Sequence, residues 1–417
     1  MTAAIRNWAG NIAYSAARLH EPGSVEELQE IVRKARKARA LGSRHSFNRI
    51  ADTDADLISM RRFDRVLDVD AAARTATVEG GITYGALSPH LHRHGLALAN
   101  LASLPHISVV GAVSTATHGS GVGNRNLAAA VRSMRLVTAN GETVRISRGD
   151  DGFEGSVVSL GALGVVAEVT LDLEPAYEVR QDVFLDLPFA RLVENFDALA
   201  AAGYSVSFFT SWRGNSVDQM WVKSRADRPF EFDPAIFGIG PAEKAYHPIS
   251  TMSAESCTQQ LGVPGPWHER LSHFRSEFTP SAGEELQSEY FVPRSRAADA
   301  LMAIRELQDD LAPLLLVCET RTVAADDLWL SHNYRQDSVG LHFTWRQDWP
   351  AVSAVLPLIE ARLEPFKPRA HWGKLFTLDP DAVEASYERL PEFRRLAERL
   401  DPAAKFSNPF VERYALG

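Results

Sequence analysis

Residues 314–323 read LLLVCETRTV. In an extended strand, side chains two apart share a face, so Glu319 and Arg321 point one way and Cys318 and Thr320 the other. VGLHFTWR (339–346) repeats the pattern, with His342 and Thr344 opposite Phe343 and Trp345, and ELQSEYFV (285–292) sets Gln287 beside Glu289. SVSFFTSWR (205–213) and DQMWVKSR (218–225) also read as strands, and helical stretches lie near 295–312 and 351–364. This order lacks the regular alternation of βαβ units and predicts an α+β region on a mixed or antiparallel sheet. A polar face on such a sheet is ordinarily just wet. Yet three polar pairs, with Lys374 in HWGKLF (371–376), also offer the mixture of donors and acceptors that a polyhydroxylated ligand needs. The strands alone leave both readings open.

Toward the N-terminus the texture changes at Pro175, the best linker position in the chain. Ser24 and Glu27 form a capping box ahead of Val25, Leu28, Ile31, Val32 and Ala35, which recur at helical spacing. A short apolar piece, Ala38 to Leu41, leads into GSRHSFN (42–48). VLDVD (66–70) and TATVEG (75–80) alternate as strands, and a helical piece near 83–94 follows. Val131 to Ser147 reads as a hairpin with Asn140-Gly141 as a type I′ turn. GALGVVAEVTLDLEP (161–175) is a buried strand closed by proline.

Two small-residue stretches are candidate ligand loops. Gly42 and Ser43 permit tight turns in which several N–H groups converge on an anion, although such a loop after a strand is ordinarily only a turn. GAVSTATHGSGVG (111–123) lets a flat or extended cofactor lie against the backbone. It lacks the G-x-G-x-x-G pattern and setting, and no Walker A sequence occurs, so nicotinamide-binding and nucleotide-hydrolase readings are disfavoured. His90, His92 and His94 have no supporting His-Glu-x-x-His or cysteine pair, and packing or exposed histidines explain them without a metal.

Composition limits the rest. At about 150 residues per domain, 417 residues suggest two or three domains. A net charge of -9 argues against nucleic acid as a partner. No apolar run reaches the roughly 18 residues of a membrane span, and MTAAIRNWAG does not read as a signal peptide. Two cysteines, Cys257 and Cys318, cannot build a disulfide framework. The expectation is a soluble, cytoplasmic monomer without a metal.

The quoted motifs belong together. NWAGN (7–11), GSRHSFN, LPHIS (104–108), ATHGSG (116–121), SLGALGVV (159–166), GVPGPWHER (262–270), ELQSEY (285–290), CETRTVAAD (318–326), HFTW (342–345), HWGK (371–374) and KFSN (405–408) resemble, in order and over essentially the whole chain, the flavin-dependent alditol (xylitol) oxidases. These sit within the broader vanillyl-alcohol oxidase-type flavoprotein family. The resemblance implies an α+β, two-domain fold: a PCMH-type FAD-binding domain over 1–174, a substrate cap over 175–374 with a mixed or antiparallel sheet, and a segment 375–417 returning to the FAD domain.

It also implies a site. FAD would be attached covalently through His45, with Leu41, Gly42, Ser43, Arg44, Ser46 and Phe47 forming the pyrophosphate loop. Arg44 stands where the family usually has a glycine, a departure that matters if the position needs a positive φ. Ser103, Ser108, Gly111, Thr115, Ala116, Thr117 and His118 would run along the flavin, with His371 close by; Gly161, Gly164, Val165 and Val169 would support the adenine half. Ala102 falls at the oxygen gate, where a small residue suits an oxidase. Ser103, Gln287, Glu319, Arg321, His342, Thr344 and Lys374 would contact substrate. Among them Arg321 and Lys374 would stabilise developing alkoxide charge, His342 would take or orient the hydroxyl proton, and Glu319, kept ionised by Arg321, would accept from a neighbouring hydroxyl. The implied reaction is polyol plus oxygen to aldose plus hydrogen peroxide, with xylitol and sorbitol oxidised at C1. The alternatives are a sugar-1,4-lactone oxidoreductase of the same fold and, in another class, a non-catalytic sugar-binding protein.

Overall fold

The computed structural model describes residues 5–278 and 284–417. Its N-terminal part holds two sheets. Arg18–His20, Asp56–Ser59 and Ala38–Leu41 lie side by side and parallel. The helix Val25–Lys34 joins the first of these strands to Ala38–Leu41. It starts where the sequence indicates: Ser24 Oγ accepts from Glu27 N–H at 3.2 Å, and Glu27 reaches back to the Gly23 N–H at 2.7 Å, one residue earlier than in an ideal capping box. The second sheet is antiparallel, in the order Val66–Asp70, Thr75–Glu79, Val165–Asp172, Val131–Val137, Thr143–Ser147.

The hairpin differs from expectation at its turn. Gly141 has φ 79°, but Asn140 is not left-handed, so type I′ is excluded. Gly141 N–H bonds Thr138 O at 2.8 Å and Thr138 N–H bonds Glu142 O at 2.9 Å, a longer loop with the single left-handed glycine at its end. The Asn140 side chain accepts from Glu142 N–H at 3.0 Å and from Thr138 Oγ1–H at 2.8 Å, so it serves the loop locally.

Beyond Pro175 the chain builds a nine-stranded sheet. Its order runs Gly240–Pro241, Glu178–Pro188, Ser216–Arg225, Ser205–Thr210, Leu315–Val323, Ser338–Arg346, Glu285–Pro293, Arg369–Ala370, with Gly265–Pro266 also on Glu178–Pro188. Each of these pairings is antiparallel, as the alternation suggests. One face is apolar: Leu286, Tyr290, Cys318, Leu341, Phe343 and Trp345 are covered by the helices Ala297–Arg305 and Trp349–Leu363. The other face turns to the N-terminal part. The last helices fold back as well, because Leu390, Phe393 and Leu396 of Leu390–Leu400 share a core with Phe153, Val157 and Val158. No helix among the described residues is long and apolar enough to cross a membrane.

Candidate active site

The inner face of the large sheet carries the polar pairs in rows. Glu319, His342 and Glu289 are cross-strand neighbours, and so are Val317, Thr344 and Gln287 in the next row. On the other side, Arg321 stands opposite Gly340. The glycine has a structural reason: a Cβ there would lie 3.3 Å from Glu289 Oε1 and 3.1 Å from the Phe291 ring. Its absence lets Arg321 reach across to Glu289.

Glu289 is the hub. Its Oε1 accepts from Arg321 Nη2 at 3.0 Å and lies 3.0 Å from His118 Nε2, while Oε2 accepts from Lys374 Nζ at 2.6 Å. Burial opposes its ionisation, but Lys374, His118 and Arg321 hold its pKa well below the usual carboxylate value. Glu319 is likewise held well below, with burial overcome by Arg321 and His273. Its hydrogen bond is to His273 Nε2 at 2.7 Å, whereas Arg321 Nε is 3.5 Å away. Arg321 therefore hydrogen-bonds Glu289 while its charge helps keep Glu319 ionised, as expected, and its Nη1 donates to Ser103 Oγ at 3.2 Å. His342, between the two carboxylates, forms no hydrogen bond through either ring nitrogen, and Nδ1 is 3.6 Å from Glu319 Oε2. Burial, aided by Lys374, pushes its pKa down to about 4, so its ring is neutral at pH 7.

Across the same cavity lies GSRHSFN. Ser43 and Ser108 lace the loop to the helix Val109–Ser114: Ser108 N–H donates to Ser43 Oγ at 2.9 Å, and Ser43 N–H to Ser108 Oγ at 3.3 Å. A Cβ on Gly42 or Gly111 would come within 2.4 or 2.6 Å of Ser108 Oγ and would push that hydroxyl out of the lacing. Trp8, from NWAGN, stacks on the His45 ring at 5.3 Å between centroids. His45 Nδ1 is buried and unpartnered, and burial takes the imidazole pKa down to about 4.

Arg44 sits at φ 65°. A left-handed position that suits glycine is thus held by a side chain that pays roughly 1–2 kcal/mol for it. Arg44→Gly is expected to stabilise the protein by about 1 kcal/mol, read as a small rise in melting temperature. A fall would show that the Arg44 contact to Arg6 O at 3.4 Å outweighs the strain.

Known proteins fit this geometry. Residues 16–147 match the family described as FAD binding domain, and residues 283–414 the family described as D-arabinono-1,4-lactone oxidase. An alditol oxidase from a Streptomyces species is 53% identical over 99% of this chain and 99% of its own. The chain belongs to the alditol oxidase family. An L-gulono-1,4-lactone dehydrogenase of Mycobacterium tuberculosis is 29% identical, covering 98% of each chain. Among solved structures, cholesterol oxidase from B. sterolicum superposes with a TM-score of 0.78 at 15% identity, over 99% of this chain and 96% of that one. This last likeness shares the fold. The protein is accordingly an FAD-dependent oxidoreductase of α+β architecture.

The residues present suit an FAD. An unpartnered buried imidazole nitrogen and a glycine-tight loop line one cavity with Leu41, Ser46, Phe47, Ala102, Thr115, Thr117, Gly161 and His371. Gln287, Thr344 and Lys374 line it as well, together with Ser103, Glu319, Arg321 and His342. Four expected cofactor residues do not line it. Ala116, at φ 52°, is wholly buried in the core. Gly164 turns into the strand, where a Cβ would meet Val137 O at 2.7 Å, and Val165 and Val169 face apolar clusters. Val166, which shares its apolar cluster with Val169, is the residue of that strand that lines the cavity. His118 lines the cavity too, but its ring nitrogens are engaged by Glu289 and by Gly119 O. Strand alternation paired Glu289 with Gln287 but gave it no role in the site, and it did not single out His273. His90 and His94 merely stack on an exposed helix face.

Proposed function

We propose that the protein oxidises the C1 hydroxyl of alditols such as xylitol and sorbitol to the aldose, with oxygen reduced to hydrogen peroxide. The observation that carries this is the row of donors and acceptors on Glu319, His342, Thr344 and Gln287, facing the FAD loop across one cavity. An open-chain polyol has a hydroxyl on every carbon, and that row can partner several at once. When bound, FAD supplies the two-electron acceptor for the hydride and hands the electrons to oxygen.

The chain's own groups handle the proton and the charge. His342, neutral and without a partner, takes the C1 hydroxyl proton as the C1–H bond breaks. Arg321 and Lys374 face the oxygen on which charge develops, and Glu289 between them keeps the resting site from trapping an anion. Glu319 accepts from a neighbouring hydroxyl. Ala102, small and buried on the cavity wall, leaves oxygen a path. The proposed division of labour gives the flavin to 1–174 with 375–417 and the substrate to 175–374. The proposed state is a monomer, and the buried free thiols Cys257 and Cys318 support a cytoplasmic location.

The lactone reading draws on the match over residues 283–414 and on the mycobacterial relative. Peroxide release separates the two: kcat/KM for xylitol is expected to exceed that for gulonolactone by tenfold or more. Exclusive turnover of the lactone would overturn the alditol assignment.

A further inference from the structure

Lys223, on the strand Ser216–Arg225, is 1% exposed and does not line the cavity. Its ammonium donates to Leu271 O at 2.5 Å, to Ser272 O at 3.1 Å and to His273 Nδ1 at 3.1 Å. Burial pushes the Lys223 pKa down to about 7, but the ionised Glu319 beside Nε2 needs the ring proton there, so His273 Nδ1 presents a lone pair and Lys223, as the ammonium, donates to it. That Nε2–H donates to Glu319 Oε1 at 2.7 Å. With Oε1 so occupied, Oε2 faces Arg321 Nε at 3.5 Å and His342 Nδ1 at 3.6 Å. Neither is a good hydrogen bond. One oxygen of a buried carboxylate is thus left for a ligand.

We propose that Lys223 is a positioning residue for substrate binding: by fixing the His273 tautomer it keeps Glu319 ionised, with one oxygen turned to a polyol hydroxyl. The opposite tautomer would set an imidazole lone pair against Glu319 Oε1 and drive the carboxylate to rotate or protonate. The chemistry explains why a charge is buried here despite the penalty of removing it from water. Three acceptors converge, and only an ammonium supplies three donors from one atom. The same segment bears on the cavity wall, since Ser272 Oγ donates to Ala102 O at 3.0 Å and His273 N–H to Ser103 O at 3.1 Å. A purely structural clamp on that segment is therefore the rival to be excluded.

The inference rests on the alditol reading, and its test separates the two. ¹⁵N-histidine spectra of the wild-type holoenzyme read the tautomer without any turnover, with His273 assigned by its loss in His273→Leu. A pyridine-type Nδ1 and a pyrrole-type Nε2 are expected; a pyrrole-type Nδ1 overturns the proposal. Anaerobic flavin reduction by xylitol then gives a mutant cycle. Lys223→Met is expected to slow reduction about tenfold in the wild-type background and less than twofold in Glu319→Gln. Losses that multiply, or an unchanged rate in Lys223→Met, overturn the proposal and leave the structural clamp. If Lys223→Met does not fold, His273→Leu takes its place in the cycle. Failure of the alditol reading looks different: a wild-type flavin that xylitol does not reduce.

Discussion

Replacing Glu289 with glutamine is expected to slow flavin reduction by xylitol at least a hundredfold, and to cost about 3 kcal/mol of stability. The carboxylate is completely buried and contacts two cations, Arg321 and Lys374, in addition to His118. Glutamine keeps the shape and loses the charge. Arg321 would then turn fully to Glu319, 3.5 Å from its Nε, and the oxygen kept for substrate would be consumed. Lys374, whose pKa burial already lowers, would lose the neighbour that supports its charge and release its proton more readily. Both changes remove groups aimed at the developing alkoxide. The double variant Glu289→Gln/Lys374→Met separates stability from chemistry. Removing both partners relieves the unpaired charge, so melting should recover in part while flavin reduction should not. A Glu289→Gln enzyme with wild-type melting and rate would show that the hub charge is unnecessary.

That hub also marks where sequence reading stops. Alternation in LLLVCETRTV, VGLHFTWR and ELQSEYFV was enough to place Glu319, Arg321, His342, Thr344, Gln287 and Glu289 on one face, because a strand has only two. It was not enough to say which carboxylate Arg321 would choose. That choice depends on Gly340 opening the space between strands, and on His118 and Lys374 arriving from positions 171 and 85 residues away in sequence. Gly340 was the available signal, since a glycine inside a strand marks a close approach. Lys223 and His273 gave no pattern at all: Lys223 is followed by Ser224 and Arg225, His273 is preceded by Ser272, and the pair has meaning only once the strand and the segment pack together. The cofactor side was more legible because tight loops leave a compositional trace. Gly42, Ser43, Ser108 and Gly111 meet as their small size suggests. On the adenine-side strand Val166 lines the cavity and Val165 packs into a separate apolar cluster, a side-chain detail that the expected backbone role left open.

The proposed covalent link from His45 to FAD offers the second large effect. The wild-type protein is expected to carry FAD through denaturing electrophoresis as a fluorescent band, and His45→Ala is expected to release all of its flavin under the same conditions. The reason lies in Nδ1. A buried imidazole nitrogen without a partner costs roughly 1–3 kcal/mol, and nothing in the protein relieves it. Burial, with His106 adding to it, lowers the pKa to about 4, so above that pH the ring is neutral and one of its two nitrogens carries a lone pair. Trp8, stacked at 5.3 Å, fixes the plane of the ring, and the Ser43–Ser108 lacing fixes the loop that presents it. A neutral nitrogen held in place beside a flavin cavity is what bond formation to the isoalloxazine requires. Because the link can raise the flavin's potential, His45→Ala reconstituted with FAD should also make peroxide from xylitol more than tenfold more slowly. The two readouts fail independently. A dark band from the wild type would refute the covalent link while leaving the oxidase intact, and a fluorescent band from His45→Ala would move the attachment to another residue.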